Sequence, residues 1–251
     1  MMASDHEPDD QDMPQDMPDD GASPHARGSF FGRRKGHKLR NHQADLIDNL
    51  LPHLALDIGG GAAPSSLAEL FEGEISDVRL EIGFGGGEHL IAEAQAFPQI
   101  GFIGCEPYVN GMAKILTQIE ALDIRNIRLY AGDAAELLAW APPESVARID
   151  LIHPDPWPKR RHWKRRFVQD ATVAAMARII RSGGEFRFVS DIDDYCAWTL
   201  AHLLRSPDFF WTAERAIDWR QPWDGYTMTR YGRKAEREGR VAAYLRFRRN
   251  G

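Results

Sequence analysis

Strand-like and helix-like segments alternate along most of this 251-residue chain, and no other feature constrains its fold as strongly. Short apolar runs end at polar or acidic residues, and each is followed by a stretch whose apolar residues have helical spacing. The central strands are predicted at 78–83, 101–107, 126–133, 147–154 and 185–191. Because parallel strands need helical crossovers, the alternation predicts an α/β fold with a mostly parallel sheet and helices on both faces.

Further assignments concern the flanks of these strands. The segment 165–184 is interpreted as one helix that stops at its two final glycines. A helix is predicted over 42–54, before the first strand, and late strands are predicted around 211–217 and 242–248. The chain has no internal repeat, so we expect a single domain rather than a repeat architecture.

Composition separates an acidic tail from the body of the chain. Residues 1–26 carry eight acidic side chains, no lysine or arginine and few apolar residues, so residues 1–28 are predicted to form a disordered acidic tail. The net charge is −6, but the chain beyond residue 26 carries 29 acidic and 31 basic side chains. Residues 29–251 are predicted to form one domain that begins with a basic segment.

The basic residues of the body are clustered. The clusters lie at 32–40, 159–166 and 229–240. Clustered cations suit a polyanionic partner better than an evenly charged surface does, although each cluster alone is compatible with a solvated surface segment.

Cysteine content and hydropathy bear on the cellular compartment. Cys105 and Cys196 stand far apart without metal-binding spacing, so we interpret them as buried thiols in a reducing compartment. No apolar run approaches the length of a transmembrane helix, and the acidic N-terminus is unlike a signal or transit peptide. We therefore expect a cytoplasmic protein with no membrane partner and no metal, and the sequence does not predict an oligomeric state.

An acidic residue lies at or near the end of each central strand. The five residues are Glu81, Glu106, Asp133, Asp155 and Asp191. Taken singly, each could simply cap the helix that follows. Because the carboxyl ends of parallel strands meet at one edge, where α/β sheets bind ligands, the five together predict a shared pocket.

The turn after the first strand, LEIGFGGGEH, has four glycines between Gly83 and Gly87, which allow a tight turn and close approach of a ligand. A dinucleotide-binding turn, G-x-G-x-x-G, would need its third glycine at Glu88, whose charge would oppose a pyrophosphate at the helix start. The observed E-x-G-x-G-x-G suits a cationic ligand without phosphate, such as S-adenosylmethionine. Glu106 could accept hydrogen bonds from the ribose hydroxyls of S-adenosylmethionine or of a dinucleotide cofactor, whereas Asp133 fits an adenine amino group.

The stretch LIHPDPWPKRRHWKRRF, residues 151–167, places one carboxylate directly before six lysine and arginine residues. Pro154 and Pro156 restrict the backbone around Asp155, which we place at the mouth of the fourth strand, near a transferred methyl group. We expect the cations of 159–166 to contact phosphates. The alternative is a solvated helix start.

These motifs resemble one known family. HPDPWPKRRHWKRR, with LEIGFGGGEH, GCEP, AGDA, FVSD and TRYG, is similar to the bacterial tRNA (guanine-N7-)-methyltransferases over about residues 31–247. The resemblance implies a Rossmann-like class I methyltransferase fold with a seven-stranded sheet, S-adenosylmethionine as methyl donor and tRNA as partner. The reaction it implies is methylation of N7 of a guanosine in the variable loop, at position 46.

The resemblance also implies roles for matching residues, with Asp155 as the catalytic residue. Cofactor binding is implied for Glu81, Gly83, Gly85, Gly87, Glu106, Asp133, Ala134 and Asp155. Substrate binding is implied for Lys159, Asp191, Thr229, Arg230, Tyr231 and Gly232. The family usually has glutamate where this chain has Gly232, which can contribute only backbone, and an aromatic residue where this chain has His153.

Guanine N7 has a free lone pair and no proton, so methylation needs no general base, and we expect Asp155 to act by positioning and electrostatics on an extruded base. Two other classes remain open. A methyltransferase for small molecules or proteins would have no use for three cationic clusters. A non-catalytic RNA-binding module would have no use for the intact acidic residues at the strand ends.

Overall fold

The computed structural model describes residues 31, 32 and 34–251 and contains a seven-stranded sheet. Its strands are β1 Asp77–Ile82, β2 Ile100–Cys105, β3 Ile127–Tyr130, β4 Val146–Ile152, β5 Ile180–Ser190, β6 Phe209–Trp211 and β7 Ala243–Arg249. The order is β3-β2-β1-β4-β5-β7-β6, in which β1 to β5 are parallel and β7 is antiparallel to β5 and β6. The predicted mostly parallel, seven-stranded sheet is confirmed.

Helices connect the strands. They are α1 Asn41–Asn49, α2 Leu51–Leu54, α3 Glu88–Ala96, α4 Val109–Leu122, α5 Ala134–Trp140, α6 Asp170–Ile179, α7 Asp193–Arg205, α8 Ile217–Arg220 and α9 Arg230–Arg237, with 3₁₀-helices at Leu67–Leu70 and Arg160–Arg165. The acidic tail predicted for residues 1–28 lies outside the described residues.

Apolar side chains project from both faces of the sheet, and helices cover both faces, as is typical of parallel sheets. One cluster joins Leu80, Ile149 and Phe186 to buried residues of α5, α6 and α7. The second joins Phe102 and Ile127 to buried residues of α1, α3 and α4. The prediction of helices on both faces is confirmed.

The helix predicted over 165–184 is wrong at both ends. The helix α6 spans only ten residues, and β5 begins directly after it, because Ile180 is extended and pairs with Val146 of β4. The two glycines at 183 and 184 therefore lie inside β5, where its register with β4 shifts, and do not stop the helix.

The strand predicted around 211–217 is also wrong. The strand β6 ends at Trp211, because the backbone N–H groups of Glu214 and Arg215 donate to the Asp218 carboxylate at 3.1 and 2.8 Å. A side-chain acceptor thus replaces the sheet partner, and the short helix α8 follows. The other late strand is confirmed as β7, within one residue of its predicted bounds.

Candidate active site

The carboxyl edge of the parallel strands carries the predicted acidic residues. The residues lie in, or within three residues after, five different strands: Glu81 in β1, Glu106 after β2, Asp133 after β3, Asp155 after β4 and Asp191 after β5. They therefore share the carboxyl edge of the sheet, and the pocket that the sequence predicts for them stays a prediction. Because β1 lies between β2 and β4, the chain turns to opposite sides there, and such switch points open a ligand-binding crevice.

The loop between β1 and α3 has the backbone of a ligand cradle. Gly83, Gly85 and Gly87 have φ of +70°, +58° and +84°, in the left-handed region that favours glycine. A Cβ at Gly83 would meet no heavy atom of the described residues within 4 Å, so there is room for a ligand above the loop. A Cβ at Gly111 of α4 would stand 2.4 Å from the Gly85 carbonyl oxygen, so only glycine allows this close packing.

Glu106 is held against this loop by the backbone. Its Oε2 accepts a hydrogen bond from the Gly85 N–H at 2.8 Å, and its Oε1 accepts one from the Tyr108 N–H at 3.0 Å. Burial raises the pKa of Glu106 despite these two hydrogen bonds, and the charge of Asp155 adds to the rise. Each oxygen keeps a lone pair for a further donor, so the carboxylate fits a pair of ribose hydroxyls.

Glu81 is paired with a histidine. His89, in the first turn of α3, places its Nδ1 2.8 Å from Glu81 Oε2, and both side chains are buried. Burial raises the pKa of Glu81, although the imidazole opposes the rise; burial alone would lower the pKa of His89, but Glu81 raises it. Sequence reasoning missed His89, and its only signal was a histidine in the helix turn that folds back beside the strand end.

Asp133 caps α5, as the simpler interpretation of a strand-end acid predicted. Its Oδ1 accepts a hydrogen bond from the Ala135 N–H at 2.9 Å. Its other carboxylate oxygen forms no hydrogen bond with the described residues, so capping leaves it available to a ligand. Ala134, between them, is buried and begins the helix.

Asp155 stands in a loop whose backbone is unusual. His153 and Trp157, on either side of it, have φ of +48° and +44°, which is uncommon for residues other than glycine. The Asp155 side chain is exposed and forms no hydrogen bond or ion pair with the described residues. Protein atoms around the carboxyl group limit its hydration and raise the pKa of Asp155. The loop therefore presents a carboxylate that is available to bind a ligand.

Arg166 is buried, unlike most of the cations of the stretch 159–166. Its side chain is 0% exposed, pairs with the Asp194 carboxylate and donates from Nε to the Pro156 carbonyl at 2.9 Å. Its guanidinium carbon lies about 5 Å from the rings of three aromatic residues: Trp163 at 4.9 Å, Tyr195 at 4.9 Å and Trp198 at 5.2 Å. The expectation that Arg166 contacts phosphates is therefore wrong: it braces the backbone next to Asp155.

The other lysine and arginine residues of this stretch are available to bind an anion. Lys159, Arg160, Arg161 and Lys164 are exposed, and no carboxylate of the described residues forms an ion pair with them. Arg165 is half-buried, with its guanidinium 5.0 Å from the Trp157 ring and 5.4 Å from the Phe31 ring. We call the lysine and arginine residues at 159–161 and 164–165 the cationic belt, or belt for short.

Asp191 joins two other elements. His153 Nδ1 lies 3.1 Å from its Oδ1, and Arg240 Nε donates to its Oδ2 at 2.6 Å. Burial would raise the pKa of Asp191, but the hydrogen bonds from Arg240 and His153 outweigh it and lower the pKa. Arg240, which sequence reasoning did not single out, thereby ties the chain after α9 to the end of β5.

The segment 229–232 lies over the glycine loop. Thr229 caps α9, and its Oγ1 accepts from the Gly232 N–H at 3.2 Å. Arg230 donates to the Tyr231 hydroxyl at 2.9 Å, and the nearest atoms to a Cβ at Gly85 would be Tyr231 Cε2 at 3.4 Å and Arg230 Nη2 at 3.8 Å. The structure thus brings the predicted substrate segment against the predicted cofactor loop.

The basic N-terminal segment lies at the same edge. The carbonyl of Arg34 accepts from the Val109 N–H at 3.0 Å, and the Gly36 N–H donates to Asn110 Oδ1 at 2.8 Å. Phe31 contacts Arg165 of the belt, as described above. The three basic clusters therefore converge around the carboxyl ends of the strands.

The described residues include no group of three or more His, Cys, Asp or Glu side chains arranged to hold a metal ion. Among the same residues, no helix combines the length and the apolar composition that crossing a membrane would require. Both cysteines are free and buried, as predicted.

The strand order, the glycine turn after β1 and the carboxylate after β2 define the class I fold of S-adenosylmethionine-dependent methyltransferases. The 16S rRNA methyltransferase KamB has a similar fold, with a TM-score of 0.51 and 16% sequence identity over 77% of this chain and 98% of that one. The sequence matches the family described as "Putative methyltransferase" over residues 76–245.

Relatives of much higher sequence identity identify the family more specifically. The tRNA (guanine-N(7)-)-methyltransferase of Bradyrhizobium diazoefficiens is 78% identical over 222 residues, which cover 88% of this chain and 94% of that protein. The enzyme of the same name from Nitrobacter hamburgensis is 74% identical over 239 residues, covering 94% and 93%. The chain belongs to the tRNA (guanine-N(7)-)-methyltransferase family.

Proposed function

We propose that this protein transfers a methyl group from S-adenosylmethionine to N7 of a guanosine in tRNA, at position 46 of the variable loop. The observation that carries the proposal is the Asp155 carboxylate. It has no partner among the described residues, its charge acts on Glu106, and it lies four residues before Lys159, the first cation of the belt. The names of the relatives support the same reaction. A tRNA substrate also supports a cytoplasmic location.

The residues present fit the methyl donor. Glu106 can accept from both ribose hydroxyls, the Asp133 oxygen that does not cap α5 can accept from an adenine amino group, and the buried Glu81–His89 pair lines the glycine turn. When bound, the donor supplies an electrophilic methyl group on a sulfonium centre.

Asp155 needs no proton transfer to act. The lone pair of guanine N7 is already free, and methylation leaves positive charge on the base. A carboxylate beside the base stabilises that charge and can accept a hydrogen bond from guanine N1–H, which also sets the orientation of the base. Lys159 begins the belt four residues later, and we expect it to contact the nearest phosphate.

The direct test uses unmodified tRNA and a donor with a labelled methyl group. Digestion to nucleosides should give labelled 7-methylguanosine, and a transcript with adenosine at position 46 should remain unlabelled. Label in another nucleoside would contradict the proposed reaction, and undiminished label in the adenosine-46 transcript would contradict the proposed position. Donor binding by calorimetry, without tRNA, separates the enzyme from an RNA-binding module with a relic pocket.

Replacing Glu106 by alanine should weaken donor binding by about 1.5–3 kcal/mol, because charge-assisted hydrogen bonds to the ribose are lost. The affinity for tRNA should remain nearly unchanged. Isothermal titration of the donor against the variant measures the effect. Glu74→Ala is the matched control, since Glu74 is an exposed glutamate ahead of β1, at the opposite edge of the sheet. Equal donor affinity in both variants would rule out the role assigned to Glu106.

Removing charges from the belt should flatten the salt dependence of tRNA binding. Each lost phosphate contact reduces the slope of log affinity against log salt by about 0.7–0.9. The belt variant replaces Arg160, Arg161 and Lys164 by alanine. Its charge-matched control replaces three arginines that already have carboxylate partners: Arg125, Arg181 and Arg205.

The belt variant should lose roughly two to three units of slope, and the control should keep the wild-type slope. The single-turnover rate at saturating tRNA should be largely preserved in both. Equal slopes in the two variants would mean that the belt is a solvated surface.

A further inference from the structure

His153 has a fixed tautomer. Only 4% of its side chain is exposed, and its Nδ1 lies 3.1 Å from Asp191 Oδ1. Asp191 also accepts from Arg240, and these hydrogen bonds keep the carboxylate ionised. Because an ionised carboxylate can only accept, the hydrogen of the neutral imidazole must be on Nδ1.

The other ring nitrogen is consequently an acceptor, and it has no partner. Burial lowers the pKa of His153, although Asp191 opposes the change, so the ring is neutral near pH 7. No donor among the described residues reaches Nε2, which is buried. Buried acceptors nearly always have a hydrogen-bond partner, so an orphan acceptor two residues from Asp155 calls for an explanation.

Gly232 lies beside this nitrogen, and Met228 fills the space that a side chain at position 232 would occupy. A Cβ at Gly232 would stand 3.3 Å from His153 Nε2 and 3.1 Å from Met228 Cγ. Met228 has a flexible, unbranched side chain and precedes α9, so it can vacate this space more easily than a backbone segment could. The position lies within the segment that covers the cofactor loop.

The Watson–Crick edge of guanine carries three N–H bonds, one at N1 and two on the 2-amino group. A carboxylate such as that of Asp155 can accept from N1–H and one amino hydrogen together, which leaves the second amino hydrogen without an acceptor. We propose that His153 Nε2 accepts a hydrogen bond from this second hydrogen of the target guanine after Met228 moves aside. His153 is then a specificity residue of the reaction, and the inference rests on the proposed function.

Two substitutions separate the two ring nitrogens. Asparagine at position 153 can reproduce the Nδ1–H bond to Asp191 but has no acceptor at the Nε2 position. Glutamine can place an acceptor near the Nε2 position. The substrates are tRNAs with either guanosine or inosine at the target position, since inosine keeps N7 but lacks the 2-amino group. Single-turnover rates at subsaturating enzyme give the preference for guanosine over inosine.

His153→Asn should reduce this preference by about tenfold, the effect of one buried hydrogen bond, while His153→Gln should retain most of it. Gly232→Ala provides an independent variant, because its Cβ would crowd Nε2 although alanine favours the helix. It should reduce the preference in the same direction as His153→Asn.

The outcomes separate this inference from the proposed function. Wild-type protein that forms no 7-methylguanosine on the guanosine tRNA would refute the proposed function itself. Normal methylation by wild type, with the full guanosine preference kept in His153→Asn or lost in His153→Gln, would refute only the role of His153.

Discussion

Asp155→Asn is expected to reduce the single-turnover rate of methyl transfer by about 10²–10³-fold, the range for loss of one preorganised electrostatic group. Asparagine has nearly the same size but no charge to balance the positive base that methylation produces. The affinity for tRNA should be equal or higher, because a negative charge near the phosphates is removed. Rapid mixing of the enzyme–donor complex with tRNA measures the rate, and a filter-binding titration measures the affinity.

Asp193→Asn is the matched control, because Asp193 is an exposed aspartate in the first turn of α7. It should leave both the rate and the affinity close to those of wild type. A normal rate in Asp155→Asn would instead mean that the carboxylate between the prolines has only a structural role.

The same residue predicts a pH dependence. Limited hydration raises the pKa of Asp155, so its carboxylate is protonated at a higher pH than an exposed aspartate, whose pKa is about 3.9. The wild-type rate should therefore fall as the pH decreases through this raised pKa. The residual rate of Asp155→Asn should lack that step, which distinguishes protonation of Asp155 from loss of the buried Glu81 and Glu106 charges.

Local patterns were sufficient to predict the five central strands and the edge of the sheet at which their acidic residues lie. Apolar runs such as 78–83 report strands directly, and a strand-end acid such as Glu106 falls at the carboxyl edge in any parallel sheet. The helix end at Ile179 was not predictable in this way. It depends on the pairing of Ile180 with Val146, a contact between residues far apart in the sequence.

Partners of the site residues were harder to predict for the same reason. Composition counts Arg166 with its cationic neighbours, but the aromatic rings of α7 that surround it lie about thirty residues further along the chain. Likewise, Glu81 looks like an open ligand group in the sequence until α3 folds back and places His89 against it. Spacing alone assigns a residue to an edge, and only tertiary contacts decide whether its charge is already neutralised.

Arg166→Ala is expected to lower the free energy of unfolding by about 2–4 kcal/mol, in the range for loss of a large buried side chain. The change removes three cation–π contacts, the hydrogen bond to the Pro156 carbonyl and the pair with Asp194. For a domain of this size the melting temperature should decrease by about 5–12 °C. Urea unfolding followed by tryptophan fluorescence gives the free energy, and calorimetry gives the melting temperature.

Arg160→Ala is the control that makes this prediction specific, because both variants lose one arginine from the same stretch. Arg160 is exposed, so its removal should change stability by less than about 0.5 kcal/mol but reduce the salt slope of tRNA binding. Arg166→Ala should do the reverse. The salt slope of tRNA binding should be unchanged, and the transfer rate should fall because the Pro156 carbonyl loses its hydrogen bond from Arg166 and the neighbouring Asp155 is held less firmly. Arg166→Lys keeps the charge but not the forked donor geometry, so it should restore little of the rate. An Arg166→Ala protein as stable as wild type, with a reduced salt slope, would return this arginine to the phosphate-binding belt.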